Sequence, residues 1–224
     1  MKIVVAQSTV ADGSMLKRGE PSDTTVIENR RRFLDTHGIT LDQTTRLAVS
    51  YEKTSFCEYF QVNESHKKEN MSKKSKFLAD ALVVTGPNHA LFLPVADCIG
   101  TVLFDPEHNV LMVSHLGRHS LEQHGGQKSV EYLQEHFNTN PAKLQVWLTA
   151  APNKEVFPIW ALDNKGMKEV TFEQLKKAGV RSGLIHDNPA DTATDLNYFS
   201  YSEYLKGHRS DDGDHCIVAM MVKD

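Results

Sequence analysis

Apolar residues gather in short runs through the middle of the chain. Positions 81–85, 90–95, 99–104 and 110–113 follow one another with only turns between them. These runs are rich in Val, Leu and Phe and are punctuated by Gly86-Pro87 and Asp105-Pro106, which predicts strands rather than helices. Upstream, 2–7 reads as a strand and 8–22 as a polar, glycine-containing loop. Ser22 or Asp23 is placed to N-cap a helix that runs to about His37 and ends at Gly38, with Val26, Arg30 and Phe33 on one face. Two more strands are expected at 46–51 and 56–62. Downstream, 120–137 reads as a helix weakened by Gly125-Gly126, and 143–148 as a strand. Thr171-Phe172-Glu173-Gln174 fits a capping box opening a helix that stops near Gly179, and 183–186 and 216–222 close the pattern as strands. Hairpin-like strand pairs with interspersed helices, in place of steady strand–helix alternation, predict one α+β domain over 1–224 built on a large mixed sheet packed by helices.

One segment departs from this pattern. Residues 63–76 hold five lysines, two glutamates and no aromatic residue, which predicts a solvated, mobile loop. Without aromatics to stack on bases, and in a chain of net charge -4, it does not make a nucleic-acid surface. The opening 1–7 is too short and too quickly polar for a signal peptide, and no apolar run approaches a membrane span. Cys57, Cys98 and Cys216 are odd in number and far apart, so no disulfide framework is expected. A cytoplasmic protein with a small-molecule ligand, and neither a nucleic-acid nor a membrane partner, is the expectation.

The chemistry sits at the ends of the central strands. Asp97-Cys98 interrupts one apolar run and His115 ends another just before Gly117. By default Cys98 is a small core residue. Paired with His115 it is equally a metal-ligand candidate or a thiolate nucleophile, because zinc accepts thiolate and imidazole and a Cys–His pair activates sulfur. His119, four residues on, shares a face with His115 only if Gly117 does not break the helix. The run Asp211-Asp212-Gly213-Asp214-His215 lacks the ligand alternation and closing glutamate of a calcium loop and reads as a turn. No phosphate-binding glycine loop and no Gly-x-Ser-x-Gly elbow occurs.

These motifs carry a resemblance. Residues 79–85, then Val95-Ala96-Asp97-Cys98, then Ser114-His115-Leu116-Gly117 are similar to the laccase-domain family, also called multicopper polyphenol oxidoreductases, whose members have been reassigned as purine nucleoside phosphorylases. Glu28-Asn29-Arg30-Arg31-Arg32, Val146-Trp147-Leu148 and Ser200-Tyr201 resemble further family motifs, so the likeness spans most of the chain. It implies an α+β fold with a mixed sheet. It also implies a centre of two histidines and one cysteine that binds zinc or copper, and phosphorolysis of purine nucleosides with some adenosine deamination. Cys98 and His115 carry over as ligands, and Asp97, Arg118 and His119 fall in the motifs as candidate catalytic residues.

The departures shape the remaining expectations. Where the family has its first ligand histidine, this chain reads Ser50-Tyr51-Glu52-Lys53, so Glu52 is the expected third ligand, with His66 as the substitute. Val10, Ser202 and Asp214 stand where the family has arginines, and His119 falls at the arginine of the His-Ala-Gly-Trp-Arg-Gly motif. Phosphorolysis is expected to be weakened, since it needs positive charge aimed at phosphate. Two alternatives stay open: a non-catalytic relative acting as a binding module, and a Cys–His hydrolase or deamidase like the cytotoxic necrotising factor toxins, whose fold is similar.

Overall fold

The computed structural model describes residues 1–18, 20, 22–72 and 78–223. The strands in chain order are β1 (Lys2–Gln7), β2 (Thr44–Arg46), β3 (Tyr59–Gln61), β4 (Ala81–Val84), β5 (Ala90–Val95), β6 (Ile99–Asp105), β7 (Val110–Leu116), β8 (Gln145–Leu148), β9 (Pro158–Ile159), β10 (Lys165–Gly166), β11 (Ile185–Asp187) and β12 (His215–Val222). The helices are α1 (Thr24–Thr36), α2 (Arg118–Glu122), α3 (Gly125–Phe137), α4 (Met167–Lys177) and α5 (Tyr201–Leu205). The fold is α+β, as expected, but the strands form two facing mixed sheets rather than one. One has the order β1-β12-β5-β2 and the other β11-β8-β6-β7-β4-β3, with a separate two-stranded β9–β10 ribbon.

Alternation along each strand explains the layering. On β5 and β12, Leu91, Leu93, Ile217, Ala219 and Met221 face the second sheet and meet Leu82, Val102, Phe104, Leu111 and Val113. The alternate residues Phe92, Cys216, Val218 and Met220 pack on Phe33 and Leu34 of α1. On the far side, Leu103, Met112 and Val146 pack on Val130 and Leu133 of α3 and on Val170 and Leu175 of α4. The order is therefore helix, sheet, sheet, helix, with both faces of each sheet buried. A strand buried on both faces reads as a continuous apolar run, which is why the central block stands out in the sequence.

Four local readings change. The strands expected at 46–51 and 56–62 shrink to Thr44–Arg46 and Tyr59–Gln61, and the chain between them is a loop. The helix expected over 120–137 is two helices, broken where His124 adopts φ 63°. Helix α4 starts at Met167, four residues before Thr171, because Glu169 reaches back to the Gly166 N–H; Thr171 lies inside it, fully buried. Within the lysine-rich segment, residues 63–72 do not hang free. Lys68 N–H donates to the Thr44 carbonyl, Arg46 N–H to the Glu69 carbonyl, and Asn70 and Met71 are buried. Residues 73–77 of that segment lie outside the described residues.

Candidate functional site

The two sheets are joined at one corner. The chain leaves β5 at Val95, turns at Asp97, whose φ is 73°, and enters β6 at Ile99. Asp97 holds this left-handed turn and is itself buried. One carboxylate oxygen accepts from Thr192 Oγ1 at 2.7 Å and the other from the Ser202 N–H at 2.8 Å. Asp97 thus ties the corner to the 192 segment and to the first turn of α5. It is a positioning residue, not a group facing a ligand. Removing it takes away two hydrogen bonds to a charged acceptor and leaves a left-handed residue without the side chain that tolerates it. Asp97→Ala is expected to cost about 3 kcal/mol in urea unfolding and Asp97→Asn less.

The corner sets Cys98 beside the end of β7. His115 pairs with Gly100 across β6–β7, and its backbone N–H donates to the Asp80 carbonyl at 2.8 Å. A Cβ added to Gly117 would sit 2.9 Å from His115 Cε1 and 3.0 Å from Cys98 Sγ. The thiol and the imidazole therefore flank one point, and only glycine leaves it clear. A third group joins them from the loop between β2 and β3. Tyr51 is exposed and lines the same cleft as Cys98 and His115, and its ring meets the His115 ring edge-on at 6.2 Å. Burial pushes the Cys98 thiol up to about 12, reinforced by Asp97, and pushes His115 down to about 4, helped by Lys53. Tyr51 is raised strongly, first by Cys98. All three groups are therefore neutral: a thiol, an unprotonated imidazole and a phenol. A thiolate nucleophile needs the reverse, a depressed thiol beside a cationic imidazole, so the thiol-hydrolase reading is not supported.

The other sequence candidates lie elsewhere. Glu52 is exposed, and Ser50 Oγ accepts from its N–H. His66 sits on a 3₁₀ turn against Asn63 and Phe60. Arg118 is exposed; His119 stacks on Phe56 at 4.9 Å and points a nitrogen at Glu122. None of the four lines the cleft described below. Glu52 misses because the loop at 47–58 is not a strand, so the register that would have aimed residue 52 inward does not exist, and Tyr51 takes the place. Among the described residues no three His, Cys, Asp or Glu side chains come together to hold a metal ion. A catalytic zinc needs three protein ligands, so the donor set does not fit the implied centre.

Cys98, His115 and Tyr51 open onto a cleft of about 670 Å³. Lys17, Arg18 and Arg46 line it, together with an apolar wall that includes Leu47, Val49, Leu78, Pro94 and Val95. Arg18 comes from the N-terminal polar loop. Its Nη2 donates to Asp214 Oδ1 at 2.7 Å, its Nη1 pairs with the Asp212 carboxylate, and its guanidinium lies 4.2 Å over the Tyr201 ring. Asp214 is thus no simple turn residue. It is buried, and desolvation pushes its carboxyl up to about 6 even though Arg18 pulls it down. Arg46, at the end of β2, donates from Nε to the Asn70 carbonyl at 2.5 Å; burial lowers it to about 10, so it stays charged. Behind it Arg30 of α1 is fully buried and lowered to about 9, first by burial and then by Arg46. No sequence motif marked Arg18 or Arg46, because they reach the cleft from a polar loop and an edge strand; Arg30, in the 28–32 motif, lies outside the cleft.

No helix among the described residues is long and apolar enough to cross a membrane. Comparison with curated proteins by sequence finds no match. Solved structures give the fold. YlmD from Geobacillus stearothermophilus superposes with a TM-score of 0.83 at 17% identity, over 99% of this chain and 92% of that one. The hypothetical protein YfiH of Bacillus licheniformis gives 0.82 at 16%, over 98% and 93%, and the Neisseria meningitidis protein NMB0706 gives 0.75 at 14%, over 99% and 95%. The sequence profile described as "Multi-copper polyphenol oxidoreductase laccase" matches residues 15–221. That span takes in the Asp97-Cys98 corner, His115 and the arginines of the cleft, and by it the chain belongs to the laccase-domain family.

Proposed function

We propose that the cleft binds a purine nucleoside beside inorganic phosphate and carries out phosphorolysis in which the chain's own cations, rather than a metal centre, handle the anion. The observation that carries this is the convergence of Lys17, Arg18 and Arg46 on the cleft that also holds Cys98, His115 and Tyr51. The purine half of the reading rests on the family resemblance. The volume suits a nucleoside, since ligand pockets span roughly 300–1,000 Å³. In phosphorolysis a phosphate oxygen attacks the ribose C1′ as the bond to the purine nitrogen breaks, and the purine leaves with the bonding pair and takes up a proton. The cations offset the charge of the nucleophile, and Leu47, Val49 and Val95 give the base an apolar wall. Val10, Ser202 and Asp214 put no positive charge at the family's arginine positions, and Arg18 and Arg46 are read as the replacements.

The test is to incubate chelator-treated protein with inosine and with adenosine, with and without phosphate, and to follow free base and ribose 1-phosphate. Turnover that requires phosphate and survives the chelator is expected. Release of base without phosphate, or deamination of adenosine that needs added metal, would overturn the reading. Binding of the nucleoside with no turnover would favour the binding-module alternative.

A further inference from the structure

Cys98 and His115 are two metal donors converging on one point, held there by the sheet corner and by a glycine that leaves the point clear. The side chain that meets them is Tyr51. A neutral phenol is a poor zinc ligand beside thiolate and imidazole, and its ring stands edge-on to His115 in the cleft that Cys98 also lines. The cations nearby are already paired: Lys53 Nζ is 2.7 Å from Asp80 Oδ2, and Arg18, which shares the cleft with Cys98, is paired with Asp214. Asp97 is engaged on both oxygens, by Thr192 and Ser202; Asp80 takes Lys53 and the Glu58 N–H on Oδ2 and leaves Oδ1 without a partner, yet among the described residues it joins Cys98 and His115 in no group of three that could hold a metal.

We infer that Tyr51 closes a latent metal centre: with tyrosine there the pair binds no metal stoichiometrically, and a histidine at 51 converts the pocket into a zinc site. On binding, Cys98 would release its thiol proton to solvent and the imidazoles would enter neutral. The inference concerns metal content alone and is read without substrate, so it stands or falls separately from the nucleoside reading.

The experiment compares zinc content after equilibration with zinc and gel filtration, and repeats the loading with cobalt to look for a sulfur-to-cobalt charge-transfer band. The unaltered chain is expected to carry far less than one zinc and to show no band. Tyr51→His should carry about one zinc per chain and show the band, and Tyr51→His with Cys98→Ala should lose both. About one zinc per unaltered chain, removed by Cys98→Ala, would overturn the inference whatever the variants do. So would a Tyr51→His protein with native circular dichroism and melting temperature that takes up neither metal. Should Tyr51→His fail to fold, the zinc content of the unaltered chain decides.

Discussion

Arg18→Ala is expected to cut phosphate-dependent turnover of inosine by about 10²–10³-fold, the loss seen when one well-placed charged donor is removed from a developing or reacting anion. Arg18 is one of the three cations that line the cleft. It comes from a loop, lies over Tyr201, and is paired with Asp214 and Asp212 at the cleft wall. The same substitution strips a buried carboxylate of its partner, so a fall in activity could reflect a damaged fold. The pH dependence of stability separates the two. Asp214 is held at about 6 in the folded chain, above an ordinary aspartate. A carboxyl raised on folding is protonated more readily folded than unfolded, so its contribution is fully present below the unfolded value. That contribution is lost as pH rises from the ordinary aspartate range through about 6. Without Arg18 the folded value climbs and the window of lost stability extends further up. Arg18→Ala should therefore melt lower than the parent at pH 7.5 and match it toward pH 4. Adding Asp214→Asn should restore the melting temperature at pH 7.5 and leave turnover low. Full turnover in Arg18→Ala would remove Arg18 from the anion site.

What the sequence disclosed and what it hid follow from the same physics. The strands Ala90–Val95, Ile99–Asp105 and Val110–Leu116 were legible because burial on both faces makes them continuously apolar. Cys98 and His115 were legible because polar or reactive residues closing such runs stand out. Tyr51 was not. In a strand, alternation would decide which of two neighbours points inward, but 47–58 is a loop and the choice between Tyr51 and Glu52 lies outside any periodicity. Val49, Phe56 and Cys57 gave that loop enough apolar character to read as strand. Helix α4 was misplaced for a related reason. Thr171 looks like a cap in isolation, and the packing of Met167 and Val170 into the core, together with the Glu169 cap on Gly166, extends the helix back to Gly166. Arg18 and Arg46 stayed hidden because charge in a polar loop or at an edge strand reads as solvation. Nothing local marks that the loop folds over Asp214 or that the edge strand is covered by residues 66–71.

The largest effect on stability is expected at Arg30, the bulkiest of the fully buried side chains. From α1 its Nε donates to the Met15 carbonyl at 2.8 Å and its Nη1 to the Met71 carbonyl at 2.5 Å, while Nη2 has no partner among the described residues. Two loops separated by most of the N-terminal third of the chain are thus held on one guanidinium. One carries Arg18, and the other covers the strand that carries Arg46. A buried charge without a carboxylate is costly, and the about 9 to which Arg30 is lowered reflects that cost. Its removal leaves two buried carbonyls unpaired and a cavity the size of the side chain, and these losses outweigh the relief of desolvation. Arg30→Ala is expected to lose about 3–5 kcal/mol, a drop of roughly 10–15 °C in melting temperature for a chain of this size. Arg30→Met fills most of the volume and removes the charge, so it isolates the two hydrogen bonds; about 2–3 kcal/mol is expected. A Met variant as stable as the parent would show that packing rather than hydrogen bonding holds the loops. If the hydrogen bonds do hold them, Arg30→Met should also raise the KM for phosphate although Arg30 lines no part of the cleft, because the loop that aims Arg18 would no longer be fixed.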